Sequence, residues 1–309
     1  EGLEQLKQHC EITVPEEKHF SYEQILEMIA DYDALIPVFG FKIDRELIEK
    51  GESLRIIANF GVGYNNIDVA TATQKGIIVT NTPKTVIEPT AELAFALLLS
   101  LTRRISELDA KLKNKQPVQW EVMANLGHTL EDKTLGIIGM GNIGKSFALK
   151  ARAFGMRILY FTRNPLNYTD EKVYNATFTP LEKLIETSDI ISLHTPLTEE
   201  TKHLLDDQTF QKMKKGAFVI NTARGAVIDE QALIKHLSNQ HLGGAGLDVF
   251  EFEPRISEEL LAMENVVLAP HVGTANYETR RAMAEEAASN VIQLFEGQQP
   301  VNIVNPKVI

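Results

Sequence analysis

Short apolar runs recur along the chain, separated by stretches in which apolar residues fall every three or four positions. Ala34-Leu-Ile-Pro-Val38, Arg55-Ile-Ile-Ala-Asn59 and Gly76-Ile-Ile-Val-Thr80 have the length of strands, with helical patterns between them. Uninterrupted runs of this kind suit parallel strands covered on both faces. Ahead of them, Glu1–Gln8 reads as a helix and Glu11–Val14 as a short strand, and Ser21 can cap a helix over Tyr22–Tyr32. This part is predicted to be a small α/β domain.

Pro83 and Pro89 bracket a connector, after which Thr90–Lys113 reads as one long helix. Its apolar positions Leu93, Leu97, Leu98, Leu101, Ile105, Leu108 and Leu112 keep helical spacing, and Glu92 suits its positive end. Such a helix can brace a domain junction or a dimer interface, or be buried within one subunit. A second β/α series runs from Lys133 to about Ala269. Its predicted strands are Thr134–Ile138, Arg157–Phe161, Ile190–Leu193, Ala217–Asn221, Gly246–Val249 and Val266–Leu268. Six strands with helices between them match a doubly wound parallel sheet of the Rossmann type. A last amphipathic helix, Tyr277–Gly297, is predicted to return to the first domain. The expected division is therefore 1–88 and 275–309 for one domain and 89–274 for the other.

Composition narrows the function classes. A chain of 309 residues exceeds one ordinary core, which agrees with two domains. With 44% hydrophobic and 24% charged residues, it reads as a soluble globular protein. A net charge of −11 argues against nucleic acid as a partner, since phosphate binding needs a basic face. No apolar run approaches the length of a membrane span, and Glu1–Val14 lacks the character of a signal peptide. The single cysteine, Cys10, cannot form an intrachain disulfide, and a cytoplasmic location is expected.

The strongest local motif is Gly139-Met-Gly141-Asn142-Ile143-Gly144, directly after one predicted strand and before a helix. In that context the glycines serve a dinucleotide: Gly139 for a tight turn, Gly141 for close approach of pyrophosphate, Gly144 for helix–strand packing. The helix N-terminus adds unpaired N–H groups and a positive dipole end. The next strand ends in Thr162-Arg163-Asn164, where an NAD site usually carries an acid for the ribose 2′-hydroxyl. Here a neutral hydroxyl and a guanidinium stand instead, and a guanidinium can clasp a 2′-phosphate. NADP(H) is favoured, and NAD(H) stays open.

Three later strand ends carry polar residues where ligands bind in open α/β sheets: Asn221-Thr-Ala-Arg224-Gly225, Asp248-Val-Phe-Glu-Phe-Glu253-Pro254 and Ala269-Pro270-His271-Val-Gly273. With these motifs in this order, and with Phe60-Gly-Val-Gly-Tyr-Asn-Asn-Ile-Asp68 before them, the chain resembles the D-isomer-specific 2-hydroxyacid dehydrogenases over nearly its whole length. Within that family it is most like the glyoxylate/hydroxypyruvate reductases. The resemblance implies a flavodoxin-like α/β substrate domain beside the Rossmann-type domain, and reduction of a small 2-oxo acid to the D-2-hydroxy acid. It implies that Arg224, Glu253 and His271 are the catalytic residues. Glu253 is preferred to Glu251 because the family's acid lies five positions beyond the Asp matched here by Asp248. His271 would exchange a proton with the substrate oxygen, Glu253 would orient the ring, and Arg224 would hold the substrate carboxylate.

By the same resemblance, backbone N–H groups of Val62 and Gly63 bind the substrate carboxylate. Thr195, Pro196 and Thr201 border the adenosine and pyrophosphate, Thr222, Ala223 and Asp248 the nicotinamide, and Thr90 and Gly273 the edge of that ring. A homodimer is expected from the family and from the long helix. His194 is assigned a structural role, and no histidine grouping suits a metal. Asn65 replaces an acid common in the glycine loop, and the family's usual first strand is missing ahead of the opening helix. With so short a stretch after the last helix, the regulatory domain of many phosphoglycerate dehydrogenases is not expected, which lowers that assignment and leaves it open. Alternatives that stay open are a 2-ketogluconate reductase, a phosphoglycerate dehydrogenase-like enzyme and, in another class, a corepressor-like dinucleotide-sensing protein.

Overall fold

The computed structural model describes residues 2–16, 19–38 and 40–308. The chain divides into two compact units, Glu1–Val86 with Thr274–Ile309, and Ile87–Gly273.

The first unit is built on three parallel strands, β1 (Ala34–Leu35), β2 (Ile56–Ala58) and β3 (Ile78–Thr80), in that order. Every residue of β2 is fully buried, as its apolar sequence requires. Ile43, Leu47, Ile48 and Val79 belong to one core of this unit. Leu6, Ala287, Ala288 and Val291 join Ile56 and Ala58 in the other. Ala287, Ala288 and Val291 come from the helix Tyr277–Phe295, so the C-terminal segment packs within this unit. Asn305 then stands in for a strand, accepting from the N–H of Val79 at 2.8 Å and donating to the carbonyl of Ile77 at 2.9 Å.

Two sequence expectations for this unit differ from the fold. The opening helix is short, Leu6–His9, and Glu1 lies outside the described residues. Glu11–Val14 is irregular and not a strand. Ile12 packs on the Leu6 cluster, but its segment joins no ladder among the described residues. Ser21 does cap its helix. Its hydroxyl accepts from the N–H of Gln24, whose side chain returns to the N–H of Ser21.

The second unit holds seven parallel strands: β4 (Thr134–Ile138), β5 (Arg157–Phe161), β6 (Ala176–Phe178), β7 (Ile190–Leu193), β8 (Ala217–Asn221), β9 (Leu242–Leu247) and β10 (Val266–Leu268). Their order across the sheet is β10-β9-β8-β7-β4-β5-β6. The chain therefore winds outward in both directions from the β4–β7 pair, and a crevice opens at the C-terminal ends of those two strands. One core face carries Leu193, Val219 and Leu247 under Phe210, Leu233 and Leu237. The other packs Leu98, Phe147 and Ala151 on Leu135, Ile137 and Tyr160. Each of these large apolar side chains, once buried, contributes about 1.5–3 kcal/mol.

β6 is a seventh strand that was not expected: a three-residue edge strand with one large apolar residue leaves no periodic signal. β9 occupies Leu242–Leu247 and not Gly246–Val249 because its glycines mask it. A Cβ on Gly244 would overlap the carbonyl oxygen of Asn265 and lie 2.8 Å from Cδ1 of Leu101, so the close approach of neighbouring elements calls for glycine inside a strand. The expected single helix Thr90–Lys113 is two helices, Ile87–Thr102 and Ile105–Lys113. Arg104 breaks it with a φ of +57° and is held in that turn by Glu107, at 2.6 and 2.8 Å.

Candidate active site

The crevice begins at Gly139, directly after β4, with a φ of +100° that side chains rarely adopt. A Cβ there would lie 2.5 Å from the carbonyl oxygen of His194, at the end of β7. A Cβ on Gly144 would overlap the carbonyl oxygen of Gly139. Around Gly141 the direction a Cβ would take is open for 4 Å. Gly139 and Gly144 are thus fixed by packing within the protein, whereas the space at Gly141 is open. Gly141 caps the helix Asn142–Ala153 without a side-chain hydrogen bond, so the N–H groups of its first turn face that space unclaimed by any capping side chain. Further along the same strand ends, the hydroxyl of Thr222 is buried with no partner among the described residues. An open cradle and an unsatisfied buried hydroxyl fit a bound dinucleotide.

The flanking loops are built by short-range bonds. Thr201 donates to the carbonyl of Pro196 and accepts from the N–H of Thr198, both at 2.7 Å, so its hydroxyl shapes the loop after Thr195. Burial pulls His194 down to about 3, leaving a neutral ring against Phe147 and 2.9 Å from the Ser192 hydroxyl. After β5, Thr162 is half-buried while Arg163 and Asn164 are exposed, and no carboxylate occupies the strand end. Glu200 is held below its ordinary range, first by the Thr198 hydroxyl and also by the charge of Arg163.

The polar residues after β8, β9 and β10 are ordered from beneath. Asn221, the buried last residue of β8, donates to the carbonyl of Arg224 at 2.9 Å and accepts from the N–H of Ala223 at 3.0 Å. Burial lowers the Arg224 guanidinium from its ordinary value, and the charge of Glu253 opposes that effect. Asp248, after β9, is also buried. Its carbonyl accepts from the N–H of His271 at 2.8 Å, and its carboxylate from Val272 at 2.7 Å and Gly273 at 2.9 Å. Burial raises Asp248, against the pull of the Val272 N–H and the His271 charge. Asp248 is therefore the seat of the His271 loop. Thr90 meets the same place, 3.5 Å from where a Cβ on Gly273 would stand.

His271 and Glu253 face each other across this seat. Nδ1 of the ring lies 2.9 Å from Oε2 of Glu253, whose Oε1 accepts from the N–H of Phe250 at 3.0 Å. Burial pushes Glu253 up, but the His271 and Phe250 hydrogen bonds and the charges of His271 and Arg224 hold it below its ordinary range. A carboxylate can only accept, so Nδ1 carries the proton and Nε2 is left for other chemistry. Glu251 faces elsewhere, 2.6 Å from Nε2 of His203.

Residues 95–273 match the family described as D-isomer specific 2-hydroxyacid dehydrogenase, NAD binding domain. The chain belongs to this family. The likeness of this D-2-hydroxyacid dehydrogenase to its relatives extends beyond that domain. It is 47% identical to a glyoxylate reductase of Thermococcus litoralis over 92% of this chain and 87% of that one. Among solved structures, the TT0316 protein of Thermus thermophilus superposes with a TM-score of 0.92 at 39% identity, over 98% and 96% of the two chains. A glyoxylate reductase from Paecilomyes thermophila gives 0.84 at 36% identity, over 92% and 89%. A nicotinamide dinucleotide is the cofactor of such a domain, and the cradle described above suits one.

In the first unit of this dehydrogenase, Val62 and Gly63 lie on the loop after β2. Asn59, buried at the end of that strand, donates to the carbonyls of Gly61 and Gly63 at 3.1 and 2.8 Å, and Asn81 to that of Val62 at 2.9 Å. The N–H of Gly61 in turn donates to the carbonyl of Asn59 at 3.0 Å, so the bonds that shape this loop use its carbonyls and the Gly61 N–H. Sequence reasoning missed the parts of Asn59, Asn81 and Asn221. The available signal is a lone polar residue closing, or just following, an otherwise apolar strand. Among the described residues no grouping of side chains could hold a metal ion, and no helix is long and apolar enough to cross a membrane.

Proposed function

We propose that this protein reduces a small 2-oxo acid, glyoxylate or hydroxypyruvate, to the D-2-hydroxy acid, with His271 as general acid and base, Glu253 as its partner and Arg224 holding the substrate. The observation that carries this reading is the His271–Glu253 pairing at 2.9 Å on the strand ends that also bear Arg224. A bound reduced nicotinamide dinucleotide supplies the hydride. As negative charge grows on the carbonyl oxygen, Nε2 of His271 gives it a proton, and in the reverse direction takes one back. Positioned acid–base groups of this kind are worth about 10²–10⁴-fold in rate. Glu253 stabilises the charged ring and fixes its tautomer. Arg224 offers a planar fork of donors to the carboxylate, and the backbone N–H groups of Val62 and Gly63 are proposed as single donors to it.

NADP(H) is the proposed cofactor, because Arg163 stands where a carboxylate would repel a 2′-phosphate. Asn142, Ile143, Thr162, Asn164, Thr195, Pro196, Ala223 and Gly273 complete its proposed surroundings. The free thiol of Cys10, raised by burial, suits a reducing cytoplasm and no chemistry. We infer a homodimer from the apolar surface of the second unit: Trp120, Val122 and Met123 are 90%, 93% and 76% exposed, and Ile105 and Leu112 are also uncovered. Oxidation of NADPH and NADH, measured with glyoxylate, hydroxypyruvate and 2-ketogluconate, tests the reading. Turnover with either of the first two is expected. A preference for 2-ketogluconate would move the assignment to that reductase, and inertness across the panel would favour a dinucleotide sensor.

A further inference from the structure

We propose that Glu251, cross-braced to Glu230 and His203, is a positioning residue that fixes Glu253 against His271. This rests on the reading of Glu253 as the partner of His271.

Glu251 and Glu253 share one turn after β9, yet their carboxylates do different things. Oε2 of Glu251 accepts from the N–H of Glu230, the first residue of the helix Glu230–Ser238, at 3.1 Å. In return, Oε2 of Glu230 accepts from the N–H of Glu251 at 3.0 Å. The bonding is reciprocal, each carboxylate serving the other residue's backbone. Oε1 of Glu230 accepts from the hydroxyl of Ser257, at the far end of the same turn, and Oε1 of Glu251 meets Nε2 of His203 at 2.6 Å. Glu230 is only 4% exposed and the Glu251 side chain 12%. Carboxylates so shielded are tolerated only when their oxygens are satisfied, so each needs the other's geometry.

The opposite side of the turn is held by packing. A Cβ on Gly225 would overlap the carbonyl group of Phe250 and crowd the nitrogen of Glu251. The peptide joining Phe250 to Glu251 is therefore pressed against the residue that follows Arg224. Phe250 is also the residue whose N–H anchors Oε1 of Glu253. The brace thus clamps the Phe250–Glu251 peptide, which lies one residue from the N–H that anchors Glu253 and is pressed against Gly225, the neighbour of Arg224. Loss of the Glu251 carboxylate unpairs the Glu230 N–H and His203, loosens the residue whose carboxylate holds the Glu251 N–H, and so lets Oε2 of Glu253 drift from Nδ1 of His271. The charged groups around this pair are Arg224 and Asp248, with Glu230, Glu251 and His203 on the brace itself.

The test compares Glu251→Ala, Glu251→Gln and Glu253→Gln in the full chain by activity against pH, kcat, KM for reduced cofactor and melting temperature. Misplaced catalytic geometry costs up to about 10²-fold, and we expect Glu251→Ala to lose roughly 10-fold in kcat. KM for the cofactor should stay within about 2-fold, since the cradle at Gly139–Gly144 is untouched. The pH midpoint should move in the same direction as in Glu253→Gln. Glu251→Gln, which keeps an acceptor for the Glu230 N–H, should recover most of kcat. A wild-type kcat and midpoint in Glu251→Ala overturn the brace, whatever the melting temperature does. If Glu251→Ala does not fold, the double variant Glu251→Gln/His203→Ala carries the test: a displaced midpoint supports the brace and a wild-type one overturns it. An unaltered profile in Glu253→Gln instead overturns the underlying reading, and the brace with it.

Discussion

Nδ1 of His271 and Oε2 of Glu253 lie 2.9 Å apart, and His271 keeps that alignment with a backbone φ of +53°, in the left-handed region. A non-glycine residue persists there only when its surroundings over-determine it. Asp248 does so, binding three consecutive N–H groups from His271 to Gly273. The His271 ring is held by its backbone on one side and by a carboxylate on the other.

Replacing Glu253 by Gln removes a negative charge that favours a proton on the ring. Reduction needs that proton, so the pH above which reductive activity falls should move to lower values. Activity profiles of wild type and variant check this, and superimposable profiles would take Glu253 out of the mechanism.

Asp248→Asn keeps the size of the side chain but leaves one acceptor where two N–H groups now bind. Both oxygens of the buried Asp248 carboxylate accept from backbone N–H groups of the His271 loop. The loss should be geometric: an unpaired buried N–H costs about 1–3 kcal/mol, and kcat should fall as His271 shifts. A variant with unchanged kcat would show that the His271 loop needs no such seat.

Arg163→Ala should weaken NADPH by about 10-fold or more and NADH little, because a charge-assisted bond to phosphate is worth about 1.5–3 kcal/mol. Titration with each cofactor decides it. Equal effects on both would remove the clasp.

Stability has its own pH signature at Glu107. Its hydrogen bond from Arg104, opposed by burial and aided by Lys111, holds it down at about 2. A depressed carboxylate stabilises the fold above its unfolded value near 4.5, and that contribution disappears as pH falls toward about 2. Glu107→Gln should cost about 1–2 kcal/mol at neutral pH and flatten the stability curve across that acid window. Unfolding midpoints at several pH values measure both.

Much of this architecture is legible in the residues. β4, β7 and β8 coincide with apolar runs because these central strands are buried on both faces, and the partly buried β5 and β10 coincide with runs that are mostly apolar as well. β9 hides behind Gly243, Gly244 and Gly246, whose reason lies in the helix and strands that press on them. The break at Arg104 is set by a side-chain bond, which no periodicity reports. In the site, the glycine turn shows itself because its spacing is local. The brace of Glu251 does not, since Glu230 and His203 are 21 and 48 residues distant in sequence.

The most direct test of the account mixes reduced cofactor with His271→Ala and follows cofactor fluorescence and absorbance after glyoxylate is added. The account requires wild-type binding of the cofactor followed by almost no oxidation of it. Oxidation at the wild-type rate would contradict the central claim that Nε2 of His271 delivers the proton.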